Sequence, residues 1–351
     1  MTSFRWEYWG VLLFVGVLTP AVFGFELDKR FAVEARENLR PTIFSSWETR
    51  TESRAFALEI PAPRGQITDR GGRPLALTRV EYYLALQFPT VAQLPDDEVL
   101  LYGRRAVAKA GEVLGREVVV ADEVLLGHYL LRRWVPMSFS ERLSDLEREA
   151  IKEPELVGAG LRAMPRYLRY YPEGELASHI IGYVGLKAAR SKRALISGEP
   201  IFPKSEGRDG LEVAFDGDLR GKSGLIDYVF DASGVKLKEE RVARPEPGHH
   251  VVTTLDLEMQ QLAEVTLGSY CRRGAFVVID VRNGDILAMA SRPTFDLNQF
   301  VPSVSREDYA RLREDPDIPL FARAFRGLYP PASTFKIATA LGVLEAGEIT
   351  P

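Results

Sequence analysis

An α+β fold is predicted, in three parts: one membrane-crossing helix at the N-terminus, a mixed α/β region with a small helical insertion, and a further α/β unit. Three observations lead there. Residues 8–25, YWGVLLFVGVLTPAVFGF, run for eighteen positions without a charge, about the length that crosses a hydrocarbon core. Strand-like and helix-like segments are mixed along the rest of the chain, separated by turns rich in Pro and Gly. A chain of 351 residues, 46% hydrophobic and 27% charged, also suits a folded protein of two or three domains.

Composition excludes several classes of function. A net charge of −4 argues against nucleic acid as a partner. A single cysteine, Cys271, rules out an internal disulfide and a cysteine-based zinc site. Four histidines, two of them the neighbours His249 and His250, leave little for a metal centre. No metal is expected.

In the anchor, Trp6, Tyr8 and Trp9 would lie at one interface, and Pro20 inside the run is tolerated in a membrane helix. Phe23 and Phe25 stand where a cleavage site needs small residues, which favours a retained anchor over a cleaved signal. Arg5 on one flank competes with Lys29 and Arg30 on the other, so charge alone does not orient it. A bulk acting outside the cell requires a cytoplasmic N-terminus.

From Glu26 to Glu59 a stalk is expected, helical through FAVEARENLR. PAPRGQITDRGGRPLAL (Pro61–Leu77) is turn-rich and leads into a strand, VEYYLALQF. Residues 92–155 turn helical, with Ser144 and Glu147 spaced for a capping box. RYLRYYPEGELASHIIGYVG combines aromatics, a Pro-Glu-Gly turn and an apolar helix, and residues 187–210 are loop-like. GLEVAFDGDLRGKSG reads as one helix ending before Gly221, and IDYVFDASGVKLKEERV as two strands around Ala-Ser-Gly. A strand then feeds an amphipathic helix capped by Thr254 or Asp256. GAFVVIDVRNGDILAMAS is a hairpin turning at Asn283-Gly284. Last comes YPPASTFKIATA, which begins a helix.

Within that stretch Ser333 and Lys336 stand three apart, on one helical face and within reach of each other. Two prolines place Ser333 in the first turn, where unpaired backbone N–H groups favour negative charge. A serine needs a base to become a nucleophile, and a lysine serves as base only when burial or a nearby cation lowers its pKa. Phe335, Ile337 and Ala338 are apolar enough to allow this. The spacing alone is unspecific: Ser333 is equally well read as a helix-capping serine beside a surface lysine. Ser233 and Lys236 repeat the spacing among Lys238, Glu239, Glu240 and Arg241, where a lysine stays solvated.

Order separates the two pairs. R-G-x-I-x-D-R-x-G-x-x-L-A (Arg64–Ala76), RYYPEGELASH (Arg169–His179), GLE (Gly210–Glu212) and D-x-x-x-G-x-I-L-A-M-A-S (Asp280–Ser291) all precede YPPASTFK. S-x-x-K carries the nucleophile in penicillin-binding proteins, and the whole series resembles the monofunctional class B members, most of all the elongation-type penicillin-binding protein 2. The resemblance runs from the anchor to the last residue.

It implies a single-pass protein of the bacterial inner membrane, with a cytoplasmic N-terminus and its bulk periplasmic, that cross-links peptidoglycan during cell elongation. Residues 1–30 would be the cytoplasmic tip and anchor, residues 31–247 an elongated, non-catalytic, dimerisation-type pedestal with the insertion at about 92–160 as its head, and residues 248–351 the last part; no metal or cofactor would be required. The last part would open a β-lactamase-like transpeptidase domain. Ser333 would be the acyl-enzyme nucleophile and Lys336 its general base, acting on D-Ala–D-Ala stem peptides and acylated by β-lactam antibiotics. The pedestal would engage a RodA-like (SEDS) glycosyltransferase and other elongation-complex membrane proteins. Arg64, Asp69 and Arg70 would be structural, and His179 a packed residue instead of a base. Two other readings are a septal class B protein and a membrane-anchored activator of a glycan polymerase. A bifunctional class A enzyme is disfavoured because no glycosyltransferase-like domain precedes the pedestal. A penicillin-sensing receptor is disfavoured by the single anchor and the long motif-bearing pedestal. The family also needs S-x-N and K-[ST]-G elements, and neither occurs in the fifteen residues after Lys336. A polypeptide of this sequence alone is therefore expected to be truncated and catalytically incomplete, since losing one oxyanion-hole donor costs about 10²–10³ in rate.

Overall fold

The computed structural model describes residues 54–89, 94–186, 199–200, 204–231 and 236–348. The expected anchor, nearly all of the stalk, and Ser233 lie outside these residues. Among the described residues no helix is long and apolar enough to cross a membrane.

The chain order is β1 (Arg54–Ile60), β2 (Ile67–Thr68), β3 (Pro74–Leu86), α1 (Asp96–Leu114), α2 (Asp122–Arg132), β4 (Met137–Arg142), α3 (Asp145–Ala150), α4 (Pro154–Gly158) and β5 (Leu161–Tyr170). Then follow α5 (Ser178–Ile181), β6 (Val184–Leu186), β7 (Glu199–Pro200), β8 (Ser205–Gly207), α6 (Gly210–Ala214), α7 (Asp216–Leu219), β9 (Gly224–Phe230) and β10 (Lys236–Ala243). The last part holds β11 (Val251–Val252), α8 (Leu257–Tyr270), β12 (Gly274–Ile279), β13 (Ile286–Arg292), α9 (Arg306–Glu314), α10 (Arg323–Arg326) and α11 (Lys336–Glu345). This is a mixed α/β fold.

β3 is the spine. It pairs antiparallel with β5 from Leu77 opposite Tyr170 to Leu86 opposite Leu161, and with β4 on its other edge. Above the inner end of β3 lies one core, in which Leu84, Leu86 and Phe88 meet Val99, Ala106 and Leu125. α1 reaches it because Val99, Gly103, Ala106, Ala110 and Leu114 recur at helical spacing, and it ends at Gly115 in the left-handed conformation. The insertion is thus only partly helical. β4 forms one face of its core, and both β4 and β5 are strands that were not expected there. α3 opens with the expected capping box: the Ser144 hydroxyl accepts from the Glu147 amide at 3.3 Å, and the Glu147 carboxylate accepts from the Ser144 amide at 2.7 Å. Ser144→Ala is expected to cost about 1 kcal/mol, read as a lower urea midpoint with an unchanged slope.

A second core joins Ile67 and Leu75 to Tyr171 and Ile181, and these to Leu255, Phe295 and Phe300. It draws on residues from both sides of position 247, so one apolar cluster continues from the mixed region into the last part. Asp69 reinforces that junction. Its buried carboxylate accepts from the amides of Gly71 (2.9 Å), Arg73 (2.8 Å) and Leu257 (3.3 Å), and from the Arg73 guanidinium at 2.9 Å. Burial pushes this carboxyl up, but the Arg73 amide and guanidinium and the Leu257 amide outweigh it and hold it below the ordinary value. Asp256 is the cap of α8, accepting from the Glu258 and Met259 amides. A third cluster packs Ala263 and Leu267 of α8 on Ala288 and Ala290 of β13.

The segment read as one helix at GLEVAFDGDLR is two, broken at Phe215 (φ −109°, ψ 24°). The break lets Glu212 and Asp216 turn toward the same arginine, Arg64. β1 is a further strand that the sequence reading missed. It pairs with β9 along its whole length, and β9 pairs with β10 as expected.

Candidate active site

Ser333 lies in a single 3-10 turn, Ala332–Phe335, and the α-helix begins only at Lys336. The expected first α-helical turn is therefore tighter than the sequence reading had it. Pro330 and Pro331 precede it, the Thr334 amide bonds back to the Pro331 carbonyl at 3.1 Å, and the Lys336 amide closes on the Ser333 carbonyl. Ala332 has φ +47°, a left-handed conformation that costs a non-glycine residue on the order of 1 kcal/mol. Strain directly before a proposed nucleophile is a common mark of a functional turn.

Ser333 and Lys336 are both exposed. The apolar side chains expected to desolvate the lysine are open as well, with Phe335 59% and Ile337 72% exposed. No residue of α11 is buried. Among the described residues, then, this turn is shaped but not enclosed.

The approach to the turn is held firmly. The Arg323 guanidinium donates to the carbonyls of Asp317 (2.6 Å), Ile318 (3.0 Å) and Phe321 (3.3 Å). The Ala324 amide donates to the buried Ser291 hydroxyl at 2.9 Å, which ties α10 to β13. Arg326 forms an ion pair with Asp209. Sequence reasoning missed Arg323 altogether. Ser291 was visible only as the last residue of its motif.

His179 is buried, as expected of a packed residue. Its Nε2 lies 2.6 Å from the Pro319 carbonyl, which can only accept, so Nε2 carries the proton. Phe295 meets the ring edge-on at 5.3 Å. Burial holds this imidazole below its ordinary pKa, and burial does the same to His128, which faces the Val135 carbonyl. Both residues favour the neutral form in the folded state. Their contribution is complete above about pH 6.5 and is lost as pH falls, because the unfolded chain then binds protons that the folded one refuses. Asp69 acts in the same sense at lower pH, below about 4. Urea midpoints should drop between pH 8 and pH 5.5, and a His128→Gln/His179→Gln variant should flatten that drop.

The other motif residues form a buried ionic cluster. Glu212, fully buried, accepts from Arg64 Nε at 2.6 Å and from Arg169 Nε at 2.5 Å. Arg64 also reaches Asp216 at 2.7 Å and the Glu212 carbonyl at 2.7 Å. Arg169 donates to the Gly65 carbonyl at 2.6 Å. Arg64, Arg169 and Glu212 thus knit the segment before β2, β5 and α6 together, remote in sequence from the serine turn. Arg70 is exposed and offers its backbone amide to the Leu255 carbonyl. Among the described residues no group of three or more His, Cys, Asp or Glu is placed to hold a metal ion.

Comparison with known proteins bears on both regions. Residues 59–253 match the penicillin-binding protein dimerisation domain, and residues 274–351 match the penicillin-binding protein transpeptidase domain. The chain is 29% identical over 361 aligned residues to the peptidoglycan D,D-transpeptidase MrdA of Escherichia coli K12, covering 97% of this chain and 51% of that protein. It is 36% identical over 188 residues to MrdA of Acinetobacter baumannii, covering 54% and 28% respectively. In structure it resembles penicillin-binding protein 2 of Helicobacter pylori, solved in complex with MreC. There the TM-score is 0.62 at 25% identity, over 83% of this chain and 53% of that one. The chain spans about half the length of the curated relatives it matches. With the dimerisation match alone covering more than half of its residues, the chain belongs to the penicillin-binding protein family, and within it is similar to the MrdA transpeptidases and to penicillin-binding protein 2.

Proposed function

We propose that the protein is an elongation-type peptidoglycan D,D-transpeptidase that works through a serine acyl-enzyme. The observation that carries this reading is the S-x-x-K turn at Ser333–Lys336, set inside the segment that matches the transpeptidase domain. The Ser333 hydroxyl attacks the carbonyl carbon between the two terminal D-alanines of a stem peptide, and Lys336 Nζ takes its proton. The tetrahedral intermediate collapses with cleavage of the C–N bond, and the lysine returns the proton to the departing D-Ala amine. An amine of a second stem then attacks the ester, forming the cross-link and restoring the serine hydroxyl. Positive backbone ends at the turn favour the charge that develops on the attacked oxygen. A lysine acts as base only when neutral, which needs an environment that excludes water. The described residues do not supply one, so the account requires further contacts over α11.

Residues 31–247 serve in this reading as the pedestal and 248–351 as the opening of the catalytic domain, with residues 1–30 as the membrane anchor. The bulk lies outside the cytoplasmic membrane. The Helicobacter relative was solved in complex with MreC, which supports a protein partner of that kind for this chain. A RodA-like glycosyltransferase is proposed beside it. The chemistry is tested by incubating the purified full-length protein with a peptide ending in D-Ala–D-Ala and measuring free D-alanine. Release that depends on Ser333 is expected, and its absence despite a folded protein would refute the assignment.

A further inference from the structure

Away from the serine turn, two adjoining cavities share a wall of Pro61, Tyr167, Arg169 and Ser205. The larger, of about 270 Å³, is mainly apolar, with Ile60, Leu168, Val184 and Val301 on its walls. Arg166, Arg169 and Arg241 also line it, and none of its lining residues is acidic. The smaller, of about 30 Å³, is lined by Arg64, Arg169, Lys204 and Arg220, again without an acidic residue. Such a volume exceeds that of one water and suits a small polar group.

The charges around the smaller cavity do not cancel. Glu212 and Asp216 take Arg64, Glu212 also takes Arg169, Asp216 also takes Arg220, and Glu59 takes Lys204. Four cations therefore face three carboxylates, which leaves one positive charge in excess among the described residues. The Arg169 side chain is fully buried, its Nε and Nη1 are used, and its Nη2 has no hydrogen-bond partner. That enclosed nitrogen acts on the chamber through its charge, and an anion held there by the accessible Lys204 and Arg220 would offset the excess.

We infer that the paired cavities bind an organic monocarboxylate, its head in the cationic chamber beside Lys204 and Arg220, the accessible cations there, and its short apolar body in the larger one. Apolar walls with a few convergent polar groups are the general make-up of a small-molecule site. The ligand would touch both β5 of the dimerisation segment and Val301 of the transpeptidase segment. The site is independent of Ser333, and its test reads binding instead of acylation.

The test titrates 4-phenylbutyrate into the full-length protein in lipid nanodiscs by calorimetry, with 4-phenylbutan-1-ol as the uncharged match. Saturable binding at one site is expected, with the alcohol weaker by about tenfold or more, the loss of one charge-assisted hydrogen bond. Lys204→Met takes an accessible cation from the wall of the smaller cavity and should weaken the carboxylate by a similar factor while leaving the alcohol unchanged. Leu168→Trp fills the larger cavity and should abolish both. Arg241→Glu on the exposed strand β10 serves where that variant fails to fold, and should weaken the carboxylate selectively. No saturable binding up to millimolar ligand, equal binding of acid and alcohol, or binding indifferent to all three substitutions would overturn the proposal.

Discussion

Ser333→Ala, made in the full-length protein, is expected to abolish labelling by a fluorescent penicillin while leaving the fold intact. Both halves of that expectation have a structural basis. Ser333 is exposed, and among the described residues its side chain makes no hydrogen bond, so alanine there removes no packing and orphans no buried group. Alanine also suits the helical backbone that follows. The chemical loss should be close to total, because removing the nucleophile of a serine enzyme costs on the order of 10⁶ in turnover. Lys336→Ala should reduce the acylation rate severely while leaving circular dichroism and thermal unfolding unchanged. If Ser333→Ala still labelled at the wild-type rate, the serine would be a turn residue and no more.

Glu212→Ala should have the largest effect on stability. This carboxylate is fully buried and receives two guanidinium groups, Arg64 and Arg169, which are themselves almost entirely enclosed. Breaking a buried ion pair by deleting one partner typically costs about 3–5 kcal/mol, chiefly because an uncompensated charge stays behind. Here two would stay behind, with only Asp216 to take up part of the Arg64 charge. Glu212→Gln keeps the shape and an acceptor oxygen but not the charge, so it should fall between wild type and alanine. Lys152→Ala is the control: its pair with Glu149 is solvent-exposed, and such pairs contribute little. Urea unfolding of the three variants should order them Lys152→Ala, Glu212→Gln, Glu212→Ala. A Glu212→Ala midpoint equal to that of wild type would mean that the cluster does not hold this fold together.

Local chemistry was legible in the residues. Ser144 and Glu147 form their capping box, Asp256 caps α8, and Asn283-Gly284 turns the β12–β13 hairpin, with Gly284 at φ +80°. His179 packs and donates one hydrogen bond, as the family resemblance implied. What failed to show depended on distant partners. β5 hides because LRAMPRYLRY carries arginines and a proline, and it becomes a strand only through its ten-residue register with β3. Glu212 looked like one acid in a short motif. Its partners lie 148 and 43 residues away, a separation that no local period reveals. The serine turn was readable as a motif, but its 3-10 geometry and the left-handed Ala332 were not, since alanine gives no sequence signal for positive φ.

The central claim is that Ser333 becomes acylated, and the most direct measurement is peptide mapping of the full-length protein after reaction with benzylpenicillin. The account predicts one adduct of the intact antibiotic mass, on the peptide containing Ser333 and absent from the Ser333→Ala protein. An adduct on another residue, or none on a folded full-length protein, would contradict it.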